Sequence, residues 1–284
     1  MDKKYFVISD VHSFYTPMVD ALTNSGFELN NPNHVLIVCG DIFDRGQETL
    51  EVYSFLKDLP KDRCILIKGN HEELYFKLLN KNYPEEHDFS NGTVSTFCQI
   101  AGYSLDVVYD LRYGYYIHYG TYFDQEGVDP DCQVIWDAIK RKVKNSEITK
   151  WLKSKQWVNY YELDKYIFVH SFIPLNFKPE RLISQDYATY YGMTQYFTFM
   201  ENWREADNDQ WASAAWGCPF VFFDEGLFDP EKEKGKILVC GHYRCSEFNK
   251  HYLDKESFES YIGENLIAID ATTVLSGKVN VLKI

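Results

Sequence analysis

Apolar residues in this chain gather in short, β-branched runs, and most of these runs stop at a polar residue able to bind a cation. Tyr5–Ser9 (YFVIS), Val35–Cys39 (VLIVC), Cys64–Lys68 (CILIK), Tyr166–Val169 (YIFV) and Ile237–Cys240 (ILVC) predict buried strands. Leu266–Ile269 (LIAI) and Val279–Ile284 predict two more towards the end. Strands that are apolar throughout need cover on both faces, so the pattern predicts an α/β architecture with helices flanking the sheets. Helices are expected at Pro17–Asn24, Gln47–Asp58 and Glu72–Asn80, each close behind a strand end. Lys140–Gln156 reads as a further helix, and Tyr113–Tyr122 (YGYYIHYGTY) alternates weakly, as a pair of strands would. No repeat or linker interrupts the pattern. Residues 1–284 therefore read as one domain, with insertions at about 81–165 and 175–230 that frame a cleft.

The residues that follow the first five runs carry the candidate chemistry. They are Asp10 and His12; Gly40-Asp41 and Asp44-Arg45-Gly46; Gly69-Asn70-His71-Glu72; His170; and Gly241-His242. Ligands of open α/β sheets bind at this carboxyl edge. Asp10 and His12, two apart at a strand end, can converge on one ion, and a carboxylate such as Asp41 can bridge two. Asn70 adds a neutral oxygen, and His170 and His242 add imidazole nitrogens. Such a mixed set suits Mn²⁺, Fe or Zn²⁺ better than Ca²⁺. Any one of these histidines alone reads equally well as a core or surface residue; the concerted placement is what points to metal. Arg45 offers a planar guanidinium that can clamp two phosphate oxygens. Gly40, Gly46, Gly69 and Gly241 permit tight turns and close backbone approach.

Composition narrows the partners. The net charge of −13 does not favour binding to a phosphate backbone, so nucleic acid is a poor partner. The 17% aromatic share is large enough for some rings to line a cleft. Seven cysteines, an odd number with no C-x-x-C pair, read as reduced thiols. The amino terminus has no apolar signal region, and no apolar run approaches the roughly 18 residues of a membrane span. A soluble, cytoplasmic protein is expected.

In order, D-V-H, G-D-I-F-D-R-G, G-N-H-E, V-H-S and G-H resemble the calcineurin-like metallophosphoesterase superfamily, and within it the phosphoprotein phosphatase branch and its bacterial relatives. The closing IAIDATT…GKVNVL adds to the likeness. The resemblance implies a two-sheet β-sandwich flanked by helices, with a dinuclear site at one edge. It implies that Asp10, His12 and Asp41 hold one ion and that Asp41, Asn70, His170 and His242 hold the other. Mn²⁺ is the leading metal, with Fe and Zn²⁺ as alternatives. It further implies phosphomonoester hydrolysis by direct attack of a metal-bridging hydroxide, without a phosphoenzyme. His71 would be the general acid, held by Asp44, and Arg45 and Asn70 would bind the phosphoryl group. Phosphoserine or phosphothreonine proteins are the leading substrates, symmetrical dinucleoside polyphosphates the nearest rival; phosphotyrosine and small phosphomonoesters stay open. An inactive metal-binding scaffold is the reading from another class, and the joint presence of Asp44, Arg45, Asn70 and His71 argues against it.

The sequence departs from the branch in two places. Relatives bring a second arginine from the region between the last two histidines; Ala214-Ala215-Trp216-Gly217-Cys218 resembles that neighbourhood without one. Arg204, Arg244 and Arg181 are possible substitutes. Tyr243-Arg244 follows Gly241-His242 where many superfamily members carry another histidine, which favours the phosphatase-like branch. His34, His87, His118 and His251 read as structural. Asp270 reads as a turn cap or a support for the site.

Overall fold

The computed structural model describes residues 3–119, 128–154, 157–177 and 196–284. Its strands are β1 (Lys4–Ile8), β2 (His34–Cys39), β3 (Cys64–Ile67), β4 (Trp157–Val158), β5 (Tyr160–Leu163), β6 (Tyr166–Val169), β7 (Leu175–Phe177), β8 (Phe197–Phe199), β9 (Ile237–Cys240), β10 (Tyr261–Ile262), β11 (Leu266–Ala268) and β12 (Leu282–Lys283). One sheet runs β12-β1-β2-β3-β4 and is parallel except for β12. The other runs β10-β11-β9-β6-β5, parallel at β11-β9-β6 and antiparallel at both edges. β7 and β8 form a separate ribbon.

Alternation along the strands builds three apolar layers. Val7, Ile37 and Ile67 meet Phe168, Val239 and Ile267, so the two sheets share one core. Their neighbours Phe6, Ile8, Leu36, Val38 and Leu66 turn the other way, under Leu22, Val52, Leu56 and Leu78 of the helices Tyr15–Asn24, Thr49–Asp58 and Asn70–Asn80. Behind the second sheet, Ile167, Val169 and Leu238 pack with Trp203, Trp211 and Phe248. The expected helix-flanked sandwich is thus present, and all of β2 is buried because both its faces are covered.

Three elements differ from the expectation. Tyr113–Tyr119 belongs to a helix, Asp106–Tyr119, and not to a strand pair. Val107, Val108 and Leu111 pack against the core at helical spacing and outweigh the weak alternation that follows; residues 120–127 lie outside the described ones. The single helix expected over Lys140–Gln156 is two, Pro130–Asn145 and Glu147–Leu152. Asp129 caps the first with Pro130 in its first turn, and Ser146 breaks the run by accepting from the Thr149 N–H at 3.1 Å. At the end of the chain only Leu282–Lys283 is strand. The middle segment also contributes to the sheets: β4 pairs with β3 and β5 with β6, so residues 157–163 are core and not insertion. All seven cysteines are unpaired, and among the described residues no helix is long and apolar enough to cross a membrane.

Candidate metal centre

Parallel strands β1, β2, β3, β6 and β9 end at the same edge of the sandwich, and the turns beyond them carry the expected residues. These turns are strained. Seven of the ten non-glycine residues with positive φ among the described residues are Asp10, His12, Ser13, Asp41, Asp44, Arg45 and His242. Such conformations cost about 1–3 kcal/mol each and persist where the surroundings over-determine them. Close approach explains two glycines: a Cβ at Gly69 would collide with the Asp41 carboxylate, and one at Gly241 with that of Asp10.

Asp10, His12, Asp41, Asn70 and His170 are each only 2% exposed, and they converge with His71 and His242. His12 Nε2 lies 4.0 Å from Asp10 Oδ1 and 3.9 Å from Asp41 Oδ2. His170 Nε2 lies 3.4 Å from Asp41 Oδ1, 2.8 Å from Asn70 Oδ1 and 3.2 Å from His242 Nδ1. Carbonyls fix the orientation of two rings. His12 Nδ1 is 3.0 Å from Phe43 O and His170 Nδ1 is 2.8 Å from Cys39 O. A carbonyl only accepts, so Nδ1 of each ring carries a proton, and the tautomer with a single proton presents Nε2 inwards as a lone pair. In that tautomer His170 Nε2 and Asn70 Oδ1 are two acceptors 2.8 Å apart, an arrangement that a cation between them would resolve. Backing of ligating imidazoles by carbonyls is also the usual support of metal sites.

The electrostatics agree. Burial pushes the Asp10 carboxyl well above its usual range, reinforced by the charges of Asp270 and Asp41. Asp270 is raised to about 6, again mainly by burial. Asp41 goes the other way: against burial, His170, His71, His12 and His242 hold it ionised below the ordinary range. Burial and the adjacent His170 pull the His242 imidazole down to about 3, and burial with His71 and Arg45 lowers His12 well below its normal value. Lowered His12 and His242 leave nitrogen lone pairs free, and the crowded carboxyls of Asp10, Asp41 and Asp270 repel one another as anions, a strain that a divalent cation relieves.

His71 and Asp44 form a pair beside this cluster. Their Nδ1 and Oδ2 atoms are 2.7 Å apart, and Thr93 and Thr96 hydroxyls donate to the same carboxylate at 2.8 Å each. Arg45 Nη2 sits 3.2 Å from His71 Nε2. A guanidinium only donates, so in this arrangement Nε2 accepts. Burial opposes a second proton on the ring, but Asp41 and the Asp44 hydrogen bond outweigh it and raise the His71 pKa. A proton on Nε2 therefore requires Arg45 to swing away.

The family model for calcineurin-like phosphoesterases matches residues 3–265. The chain belongs to the calcineurin-like phosphoesterase family. Over 153 residues it is 28% identical to the symmetrical bis(5'-nucleosyl)-tetraphosphatase of Marinomonas sp. (strain MWYL1), covering 52% of each chain. Over 85 residues it is 32% identical to the asymmetrical bis(5'-nucleosyl)-tetraphosphatase PrpE of Bacillus velezensis, covering 28% of this chain and 34% of that one. The chain thus spans about half the length of the first relative and a third of the second. A protein-tyrosine phosphatase of the psychrophile Shewanella sp. shares the fold, with a TM-score of 0.51 and 16% identity over 100% of this chain and 75% of that one.

Other expected residues in this calcineurin-like chain fall elsewhere. Arg204 is taken up by two acids: Nε lies 2.6 Å from Glu162 and Nη2 lies 2.6 Å from Glu233, with its guanidinium over the Trp203 ring. Three of its five donors are committed to Glu162 and Glu233. Arg244 is exposed and close enough to lower the Asp270 carboxyl. Asp270 both accepts from the Thr272 N–H at 2.6 Å and acts on Asp10, which joins its two expected roles. Trp216 does reach the site, edge-on to His242 at 6.2 Å. His34, His87 and His251 have structural partners, whereas His118 and Arg181 lie outside the residues whose side chains are described. Lys81 neutralises the separate Glu85–His87–Asp88 group.

Sequence reasoning assigned no role to Glu72, Thr93 or Thr96. Glu72 accepts from the N–H groups of Asp41 (3.1 Å), Ile42 (3.0 Å) and Gly69 (2.7 Å), tying two of the ligand turns together. Its place three residues after a helix cap is a legible signal for the Gly69 bond alone. Glu72→Gln is expected to weaken metal affinity by about 10–100-fold, as loss of an outer support does; calorimetric titration with Mn²⁺ checks it, and unchanged affinity would make Glu72 a plain helix cap.

Proposed function

We propose that this chain hydrolyses phosphate esters with two divalent metal ions held at its strand ends. The observation that carries the reading is the convergence of acceptor atoms from five separate turns, with His170 Nε2 within 2.8 Å of Asn70 Oδ1 and 3.2 Å of His242 Nδ1. Asp10, His12 and Asp41 would hold one ion, and Asp41, Asn70, His170 and His242 the other. Mn²⁺ is the metal we favour, with Fe or Zn²⁺ also suited to the donors. When bound, such a pair supplies Lewis acidity and lowers the pKa of water. Arg45 leaves His71 to bind equatorial phosphoryl oxygens, and Asn70 positions the same group. Once Arg45 has left, His71, oriented by Asp44 and raised in pKa by Asp41 and Asp44, takes a second proton from water at Nε2 and donates it to the departing alkoxide.

Serine and threonine phosphoproteins are the substrates we favour. Dinucleoside polyphosphates are the second reading, favoured by the names of the tetraphosphatase relatives. Buried, unpaired thiols fit a reducing cytoplasm. Mn²⁺-dependent hydrolysis of para-nitrophenyl phosphate tests the core of the proposal, and inactivity with Mn²⁺, Fe²⁺ and Zn²⁺ alike would end it. A phosphoserine peptide and a dinucleoside tetraphosphate, assayed side by side, then rank the substrates. Metal at a hundred times its Kd should add about 2.7 kcal/mol of stability. The expected rise in Tm with Mn²⁺, reversed by chelator, reads binding without reference to activity.

A further inference from the structure

The turn Asp44-Arg45-Gly46 carries two groups of the proposed chemistry, and it does not hold itself. Asp44 and Arg45 are successive non-glycine residues at φ 76° and 63°, a conformation that persists only where neighbours impose it. One helix, Thr93–Ala101, supplies much of that support from inside the segment expected to frame a cleft. Gly92, just ahead of it at φ 84°, lies so close to the turn that a Cβ there would collide with the Arg45 backbone nitrogen. The Thr96 hydroxyl donates to Asp44 Oδ1 at 2.8 Å and accepts from the Asp44 N–H at 3.0 Å, so one group fixes both the carboxylate and the main chain of that residue. Thr93 donates to Oδ2 at 2.8 Å. Gln99 spans the far end of the turn: Nε2 donates to Gly46 O at 3.0 Å, and Oε1 accepts from the Thr49 N–H at 3.1 Å. A planar amide serves that carbonyl and that N–H at once. The helix is itself anchored on its other side, where Val94, Phe97, Cys98 and Ala101 are buried in the core and Phe97 stacks on Trp136 at 5.7 Å.

We propose that Thr96 and Gln99 are positioning residues for the hydrolytic reaction, each for a different task of this turn. Thr96 acts through Asp44, whose Oδ2 stands 2.7 Å from His71 Nδ1, and so aims the imidazole that protonates the leaving group. Gln99 acts on the main chain that carries Arg45. The guanidinium has to travel from His71 Nε2 to the phosphoryl oxygens, and with Gly46 O and Thr49 N pinned the side chain swings from a fixed base. Neither residue bonds to a candidate metal ligand, so the two tasks are separable from metal binding. The inference rests on the hydrolytic reading and deepens it: the acid and the clamp take their aim from a helix that lies outside the strand edges. A helix that only packed there would affect stability without distinguishing the two tasks.

Rates of the Mn²⁺-loaded full chain on a phosphoserine peptide and on para-nitrophenyl phosphate, with Mn²⁺ calorimetry and proton NMR, test this. Thr96→Val keeps the shape and removes the hydroxyl. It should lower the phosphopeptide rate by about 10–100-fold, as loss of a hydrogen bond to a charged group does, and the aryl phosphate rate far less, with Mn²⁺ binding unchanged. Thr96→Ser should restore most of the rate. Gln99→Met keeps the length and loses both bonds, and it should lower kcat by about tenfold on both substrates alike. The His71 Nδ1 proton, identified by its absence in His71→Asn, should shift or broaden in Thr96→Val and stay in place in Gln99→Met, a readout that needs no turnover. Val94→Ala, on the anchored side of the same helix, should lower Tm yet leave both the substrate ratio and this proton unchanged. If Thr96→Val fails to fold, Thr93→Val decides on the same readouts. An equal loss on both substrates with an unmoved proton, or no rescue by Thr96→Ser, would overturn the role of Thr96; wild-type rates in Gln99→Met would overturn that of Gln99. A wild-type chain inactive on both substrates, with the proton still sensitive to Thr96→Val, would count against the hydrolytic reading alone.

Discussion

Asp41→Asn is expected to abolish metal-dependent hydrolysis and to remove at least one of two bound Mn²⁺ ions, while leaving the fold close to wild type. Asp41 is common to both His/Asp groups at this edge, one with His12 and His71 and the other with His170 and the half-buried His242. Its Oδ1 lies 3.4 Å from His170 Nε2 and accepts from the His71 N–H at 3.0 Å, while Oδ2 lies 3.9 Å from both His12 and His71. An amide of the same shape keeps the volume but replaces one acceptor oxygen by an NH₂ donor aimed at lone pairs or cations. The charge that four imidazoles hold ionised disappears with it. The loss should therefore exceed the roughly 10–100-fold that follows removal of a supporting contact. The fold is expected to survive because Asp41 also raises the pKa of Asp10, and neutralising one of two buried like charges relieves the other. Calorimetry with Mn²⁺, thermal denaturation and hydrolysis of para-nitrophenyl phosphate separate these effects. Full Mn²⁺ stoichiometry with an undiminished rate would remove Asp41 from the centre.

The metal edge was legible because its information is local. Each candidate ligand stands within a few residues of the end of an apolar run, and parallel pairing brings those ends together. The unbroken apolar runs likewise foretold sheets covered on both faces. What was not legible depends on contacts distant in sequence. Thr93 and Thr96 hold Asp44 from positions 49 and 52 residues away, and nothing in G-T-V-S-T announces it. Arg204 looked available until folding placed Glu162 and Glu233 against its guanidinium. The Tyr-rich stretch after Tyr113 alternates too weakly to oppose the helix begun by Val107, Val108 and Leu111. The wall of a cavity beside the cluster is assembled from residues at 68–76, 152–154, 157–159, 170–172 and 208–215, so its aromatic character had no signature in any one segment.

His71→Asn should retain both metals yet lower the rate by about 10²–10⁴-fold, the range for loss of a positioned general acid. The size of the loss should depend on the leaving group. A serine alkoxide leaves badly without a proton, whereas para-nitrophenolate is a stable anion that leaves unaided. The variant is therefore expected to lose far more activity on a phosphoserine peptide than on para-nitrophenyl phosphate. A residue that only shaped the site would lower both alike, so the ratio of the two losses identifies the role. The geometry makes the acid dependent on its neighbours. Asp44 holds Nδ1 at 2.7 Å and is itself fixed by the Thr93 and Thr96 hydroxyls, so the ring cannot turn its proton away. Arg45, 3.2 Å from Nε2, occupies the position from which the proton must be delivered. On the proposed mechanism, movement of Arg45 onto the phosphoryl oxygens would free Nε2 for a proton and bring the clamp into place in one step. Arg45→Lys keeps the charge but loses the planar fork, and it should lower kcat on both substrates without the leaving-group dependence of His71→Asn. Equal losses for His71→Asn on the two substrates would take the proton-donor role away from His71.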